Sequence, residues 1–150
     1  MSASDLQGLY QELILDHAKT PSGTGLLETA DGQSHQLNPT CGDEITLQVH
    51  LGEGDTVAHL RWEGHGCAIS QASASLLSEL AEGLSAAQLT ERIGAFRTAM
   101  QSRGKIQPSE EMFGDAVALG GVSRYVARVK CAMLAWVAAE DALAQATVGR

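Results

Sequence analysis

The run Glu44-Ile45-Thr46-Leu47-Gln48-Val49-His50-Leu51, then Gly52-Glu53-Gly54-Asp55, then Thr56-Val57-Ala58-His59-Leu60-Arg61-Trp62 decides the fold. Its first part alternates, with Ile45, Leu47, Val49 and Leu51 on one face. Successive side chains of a strand point to opposite sides, so this pattern marks a strand with one buried face. The Gly-rich quartet is a turn, and the second part alternates again through Ala58, Leu60 and Trp62. Together they predict an antiparallel β-hairpin whose apolar face needs a cover.

The flanking sequence supplies helices for that cover. Leu6, Leu9, Tyr10, Leu13, Ile14 and His17 recur at helical spacing, with Ser4 and Gln7 in a capping-box pattern and Pro21 as the stop. Ser22 to Asn38 reads as a loop with at most one short strand near Ser34 to Leu37. Ile69, Ala72, Leu76, Leu77 and Leu80 form a helical face that ends near Gly83. Ser85 and Gln88 form a second capping box, ahead of a helix lined by Leu89, Ile93, Phe96 and Met100 that stops at Gly104. A short helical piece is expected around Glu110 to Val117. The last helix is expected from about Tyr125 to Ala146, with Val126, Val129, Met133, Leu134 and Val137 facing inward. The predicted class is α+β: a small antiparallel sheet of about three strands with helices packed mainly on one face.

Composition narrows the function. The 150 residues suit a single domain, 1–150, and 44% hydrophobic against 19% charged residues suits a packed core. A net charge of -8 and only 4% aromatics argue against nucleic acid as a partner, since phosphate backbones reward basic patches and bases reward stacking platforms. No run approaches the roughly 18 apolar residues of a membrane span. The start of the chain lacks signal-peptide character and its end lacks a lipidation motif. Three cysteines cannot close into a disulfide framework, so a reducing, cytoplasmic setting is expected.

Those cysteines are placed suggestively. Cys41, in Asn38-Pro39-Thr40-Cys41-Gly42-Asp43, precedes the first hairpin strand, and Cys67, in Gly64-His65-Gly66-Cys67-Ala68, follows the second. Antiparallel pairing puts the start of one strand beside the end of the other, so Cys41, Asp43 and Cys67 share one end of the hairpin. Cys131, early in the last helix, could be aimed at the same end. Three thiols and a carboxylate make four donors, the number of a tetrahedral zinc site. Gly42 would allow the turn between Cys41 and Asp43, and Gly64 and Gly66 a tight curl before Cys67. A bland account stands beside each: Cys131 as a small core residue, Asp43 as a turn or capping residue. His65 reads as a group behind the ligands, a spare ligand or a surface residue; His17 reads as structural, and His35, His50 and His59 as exposed.

Asn38-Pro39-Thr40-Cys41-Gly42-Asp43, Gly64-His65-Gly66-Cys67-Ala68-Ile69-Ser70 with Gln71-Ala72-Ser73-Ala74-Ser75 behind it, and Arg128-Val129-Lys130-Cys131-Ala132 resemble the SufU/IscU family, the NifU N-terminal-type proteins of iron–sulfur cluster assembly. Leu9-Tyr10-Gln11-Glu12-Leu13-Ile14-Leu15-Asp16-His17 is similar to that family's opening helix, and the resemblance spans residues 5 to 146. It points to the SufU branch: Lys130 stands where the IscU branch typically has His, and the Cys67–Cys131 segment is long. Val126 departs from a proline common in SufU members.

The resemblance implies a zinc site of Cys41, Asp43, Cys67 and Cys131 and a sulfurtransferase whose Cys41 accepts persulfide sulfur from a SufS-type cysteine desulfurase. Asp43 would act as ligand or relay, and Arg128 matches a family arginine near the site. Arg128 and Lys130 could stabilise a thiolate or persulfide, or simply belong to a solvated helix face. Downstream partners would be iron–sulfur scaffold or assembly proteins. Two rival functions share these residues: a scaffold that carries an iron–sulfur cluster, and a non-catalytic binding module stabilised by zinc.

Overall fold

The computed structural model describes residues 3–149. In chain order the elements are α1 (Ala3–Lys19), β1 (Gly32–Asn38), β2 (Asp43–Leu51), a single 3-10 turn (Glu53–Asp55), β3 (Val57–His65), α2 (Ala68–Ala81), α3 (Ala86–Gln101), α4 (Glu110–Phe113), a longer 3-10 segment (Gly114–Arg124) and α5 (Val126–Val148). The class is α+β as expected: one antiparallel three-stranded sheet in the order β1-β2-β3. α5 lies against β1 and β2, and α2 packs on β3 and α5. The side chains of Ser4 and Gln7, and so the first capping box, lie outside the described residues.

The hairpin forms from the alternating run, with one shift of phase. Ile45, Leu47, Val49 and Leu51 are buried as predicted, opposite Leu60 and Trp62. On β3 the third inward residue is Val57, and Ala58 is only half-buried. The cause is an irregularity in the pairing between His50 and Leu51, which sets Leu51 opposite Val57. An extra residue in one strand reverses the inside–outside alternation beyond it.

β1 is a full seven-residue strand, longer than expected from Gly-Gln-Ser-His-Gln-Leu-Asn. Its inward residues are Gly32, Ser34 and Asn38, while its lone large apolar residue, Leu37, is 57% exposed. Hydrophobic periodicity therefore could not reveal it. A Cβ on Gly32 would overlap the backbone carbonyl of Ala142 in α5, so glycine is what lets that helix come so close.

The same close packing corrects the inward face of α5. Val126 is 64% exposed, and Val129, Met133 and Val137 are only half-buried, whereas Leu134 is buried as expected. The buried stripe runs through Cys131, Ala132, Ala135, Trp136, Ala139, Ala142 and Ala146. Alanines face the crowded side because they allow near contact with the sheet and α2, and the larger residues flank it. Trp136 anchors this face. Its ring stacks on Phe96 at 3.9 Å, and its Nε1–H donates to Ser73 Oγ, which in turn donates to the Ala132 carbonyl. We expect Trp136→Ala to cost roughly 3–5 kcal/mol, because it leaves a cavity in a dense core, and urea unfolding would register the loss.

α3 matches its sequence signals. Ser85 Oγ accepts from Gln88 N–H and Gln88 Oε1 from Ser85 N–H, and Leu89, Ile93, Phe96 and Met100 are buried. The predicted helical piece beginning at Glu110 is a single α-turn that tightens into the 3-10 segment. Phe113 at the end of α4 and Ala116, Leu119 and Val122 of this segment are buried at a spacing of three, as three residues per turn allow, with Ala118, Gly120 and Ser123 buried between them. No helix among the described residues is long and apolar enough to cross a membrane.

Candidate metal centre

Pairing of Glu44 with His65 brings the start of β2 to the end of β3, so the loop carrying Cys41 meets the N-terminus of α2. The β1–β2 connection spans residues 39–42, closed by the N–H groups of Cys41 and Gly42 donating to the Asn38 carbonyl. Gly42 has φ +72°, the left-handed backbone that the turn into Asp43 requires. Cys41 is exposed on this loop.

Asp43 is the first residue of β2 rather than part of a solvated turn, and it is fully buried. Its Oδ1 accepts from Cys67 N–H at 3.0 Å and from Ser70 Oγ at 3.3 Å. Its Oδ2 has no hydrogen-bond partner, and neither has the buried Nδ2 of Asn38. A buried carboxylate oxygen without a partner is costly and calls for a cation or another donor. Gly66 does not supply a left-handed turn; it clears space, because a Cβ there would strike Asp43 Oδ1 and Ser70 Oγ.

Cys67 stands at the N-cap position of α2, its side chain making no cap hydrogen bond, and is half-buried. Cys131 is fully buried in α5, its Sγ 3.6 Å from that of Cys41. Cys41, Asp43 and Cys131 hold their ligand atoms within 4.8 Å of one another. Cys67 is outside that trio but is close enough to raise the Cys131 thiol's pKa. Burial is the largest cause of that rise, followed by the nearness of Asp43, Cys41 and Cys67. The centre is thus a crowd of potential anions, open to water at Cys41 and closed to it at Asp43 and Cys131.

Arg128, one turn before Cys131, is the facing cation. Its pKa is raised first by a hydrogen bond with Cys131, then by the charges of Cys67, Cys131 and Cys41. Lys130 is exposed and lines an open cavity of about 320 Å³ with Leu37, Pro39, Thr40, Met133 and Val137. His65 does not join the thiols. Its Nε2 lies 3.1 Å from Glu44 Oε1, and His35 Nε2 lies 2.6 Å from Oε2. Glu44's carboxyl is held below the usual range first by His35, against a burial cost, and then by His65.

The structure therefore gathers Cys41, Asp43 and Cys131, with Cys67 and Arg128 against them, and leaves His65 and Lys130 outside. The sequence reading did not single out Ser70 as an Asp43 donor or Asn38 as a buried neighbour. Ser70's signal was its position three residues after the N-cap residue Cys67; Asn38 had none beyond its place in the loop motif.

An α+β fold with a thiol-and-carboxylate cluster where a hairpin end meets two helices defines the class: a small domain whose clustered donors could hold a metal ion. The chain belongs to the family of NifU-like N-terminal domains, whose model matches residues 9–145. It is 39% identical over 142 residues to the zinc-dependent sulfurtransferase SufU of Bacillus subtilis, covering 95% of this chain and 94% of that one. It is 35% identical over 144 residues to the iron–sulfur cluster assembly scaffold protein IscU of Streptococcus pyogenes, covering 95% and 87%. The crystal structure of FiSufU from Fervidobacterium islandicum, described as an iron–sulfur cluster assembly scaffold protein for the SUF system, superposes with a TM-score of 0.81 at 34% identity, covering 91% of this chain and 98% of that one.

Proposed function

We propose that the protein is a zinc-dependent sulfurtransferase of iron–sulfur cluster assembly that accepts persulfide sulfur on Cys41 from a SufS-type cysteine desulfurase. One observation carries the reading: an exposed thiol on a loop stands 3.6 Å from a buried thiol, beside a buried carboxylate oxygen without a partner. The donor set fits zinc, with Cys41, Asp43, Cys67 and Cys131 as the residues that would hold it. Bound zinc would keep the thiols deprotonated while staying redox-inert.

The chain's own residues account for the transfer. Cys41 is the accessible thiol, so its thiolate attacks the terminal sulfur of the donor persulfide. A new S–S bond forms on Cys41 as the donor's S–S bond breaks, and the bonding pair leaves on the donor cysteine as thiolate. The step is redox-neutral. The charges of all three thiols raise the pKa of Arg128, so its cation would steady the anionic sulfur. The cavity beside Lys130 adjoins the Cys41 loop and offers apolar surface to the donor's approach.

A scaffold carrying an iron–sulfur cluster is the second reading. The same thiols could ligate a cluster, and the Streptococcus relative is named a scaffold. Metal and sulfide analysis after anaerobic purification separates the two. We expect one zinc per chain and no acid-labile sulfide; iron with acid-labile sulfide would favour the scaffold.

A further inference from the structure

A second group of ligand-bearing side chains lies away from the cysteines. His17 of α1, Glu79 of α2 and Asp115 of the 3-10 segment hold one ligand atom each within 4.8 Å of one another. Glu79 follows the N-cap residue Cys67 by twelve residues of α2, about 18 Å at the rise of a helix, so this is a separate place.

Its outer contacts resemble those behind a metal ligand. The His17 side chain is 11% exposed, with Nδ1 2.6 Å from Ser75 Oγ. The buried Ser75 oxygen also accepts Ser22 N–H, and its two lone pairs can take both protons. The tautomer sets the direction of that bond; in the one with Nδ1–H toward Ser75, Nε2 carries the lone pair that a cation would take. Nε2 faces Glu79 Oε1 at 3.9 Å, too far for a hydrogen bond. The other oxygen of Glu79 accepts from Ser22 Oγ at 2.5 Å. Partners on the far atoms of His and carboxylate are what orients ligands around an ion. Asp115 has no hydrogen-bond or ion-pair partner among the described residues, and with Glu79 it borders an open cavity of about 300 Å³.

Metal–ligand bonds of about 2.0–2.2 Å place two ligands of one ion at most about 4.4 Å apart. The exposed carboxylates need only small movements to reach that spacing. We propose that His17, Glu79 and Asp115 form a second, exchangeable site for a first-row divalent cation, completed by water, that ties α1 to α2 and the 3-10 segment. One imidazole nitrogen and two carboxylate oxygens suit Mn²⁺, Fe²⁺ or Zn²⁺, in contrast to the thiol-rich centre.

The test uses the full chain as purified, with its resident metal measured. Mn²⁺ is titrated while the free-ion EPR signal and the melting temperature are followed, because Mn²⁺ competes poorly for thiolates. One further equivalent should bind saturably below millimolar concentration and raise the melting temperature. Asp115→Asn and Glu79→Gln, both at exposed positions that tolerate change, should each weaken Mn²⁺ binding at least about tenfold and remove the melting shift. Absence of saturable binding in the unmodified chain would overturn the site. Unchanged binding in both variants would overturn it as well.

Discussion

Cys41→Ala is expected to lower sulfur transfer from a cysteine desulfurase by at least about 100-fold, since it removes the nucleophile itself. Formation of the persulfide on the desulfurase should proceed at its normal extent, because that half-reaction does not use this chain. The metal-free fold should hold, because Cys41 is exposed in a loop outside the core; as one of the zinc donors its loss weakens metal binding, so unfolding is compared without metal. Single-turnover assays with labelled cysteine, run beside urea unfolding, read both quantities. Lost transfer with kept stability separates a sulfur carrier from a module that merely needs zinc to fold. Transfer at the normal rate would remove Cys41 from the reaction.

Asp43→Ala is expected to have the second-largest effect. It deletes the acceptor of Cys67 N–H and Ser70 Oγ and the buried oxygen that awaits a cation. Leaving the buried N–H unpaired costs about 1–3 kcal/mol, and losing the carboxylate should weaken metal binding by roughly 10–100-fold or more. Asp43→Asn keeps an acceptor for Cys67 N–H but loses the charge. It should therefore recover most of the stability and little of the affinity. Chelator competition and thermal melting on both variants check this. Metal content and activity equal to the unmodified chain in both would show that Asp43 is only a structural acceptor.

The sequence was most legible where chemistry follows local pattern. The alternation from Ile45 to Leu51, the Ser85–Gln88 capping box and the apolar face of α3 each depend on residues close in the chain, and each appears as predicted. The meeting of Cys41, Asp43 and Cys67 was readable too, because antiparallel pairing alone brings those chain positions together. What was not readable depends on how tightly distant elements pack. β1 turns Gly32 and Ser34 inward because α5 comes so near, so its inner face carries no hydrophobic signal. The buried face of α5 rotated onto alanines and Trp136 for the same reason. The shift at Val57 arose from one pairing irregularity, and the three-residue spacing from Phe113 to Val122 belonged to a helix type seldom so long. The orphaned Asp43 oxygen is a property of the folded interior alone.

The most direct measurement is where the sulfur goes. The chain is incubated with a SufS-type desulfurase and free cysteine, alkylated without reductant, digested and mapped by mass spectrometry. The account predicts that the peptide carrying Cys41 gains the mass of one sulfur atom, while those carrying Cys67 and Cys131 do not. Sulfur found on Cys67 or Cys131, or on none of the three, would contradict it.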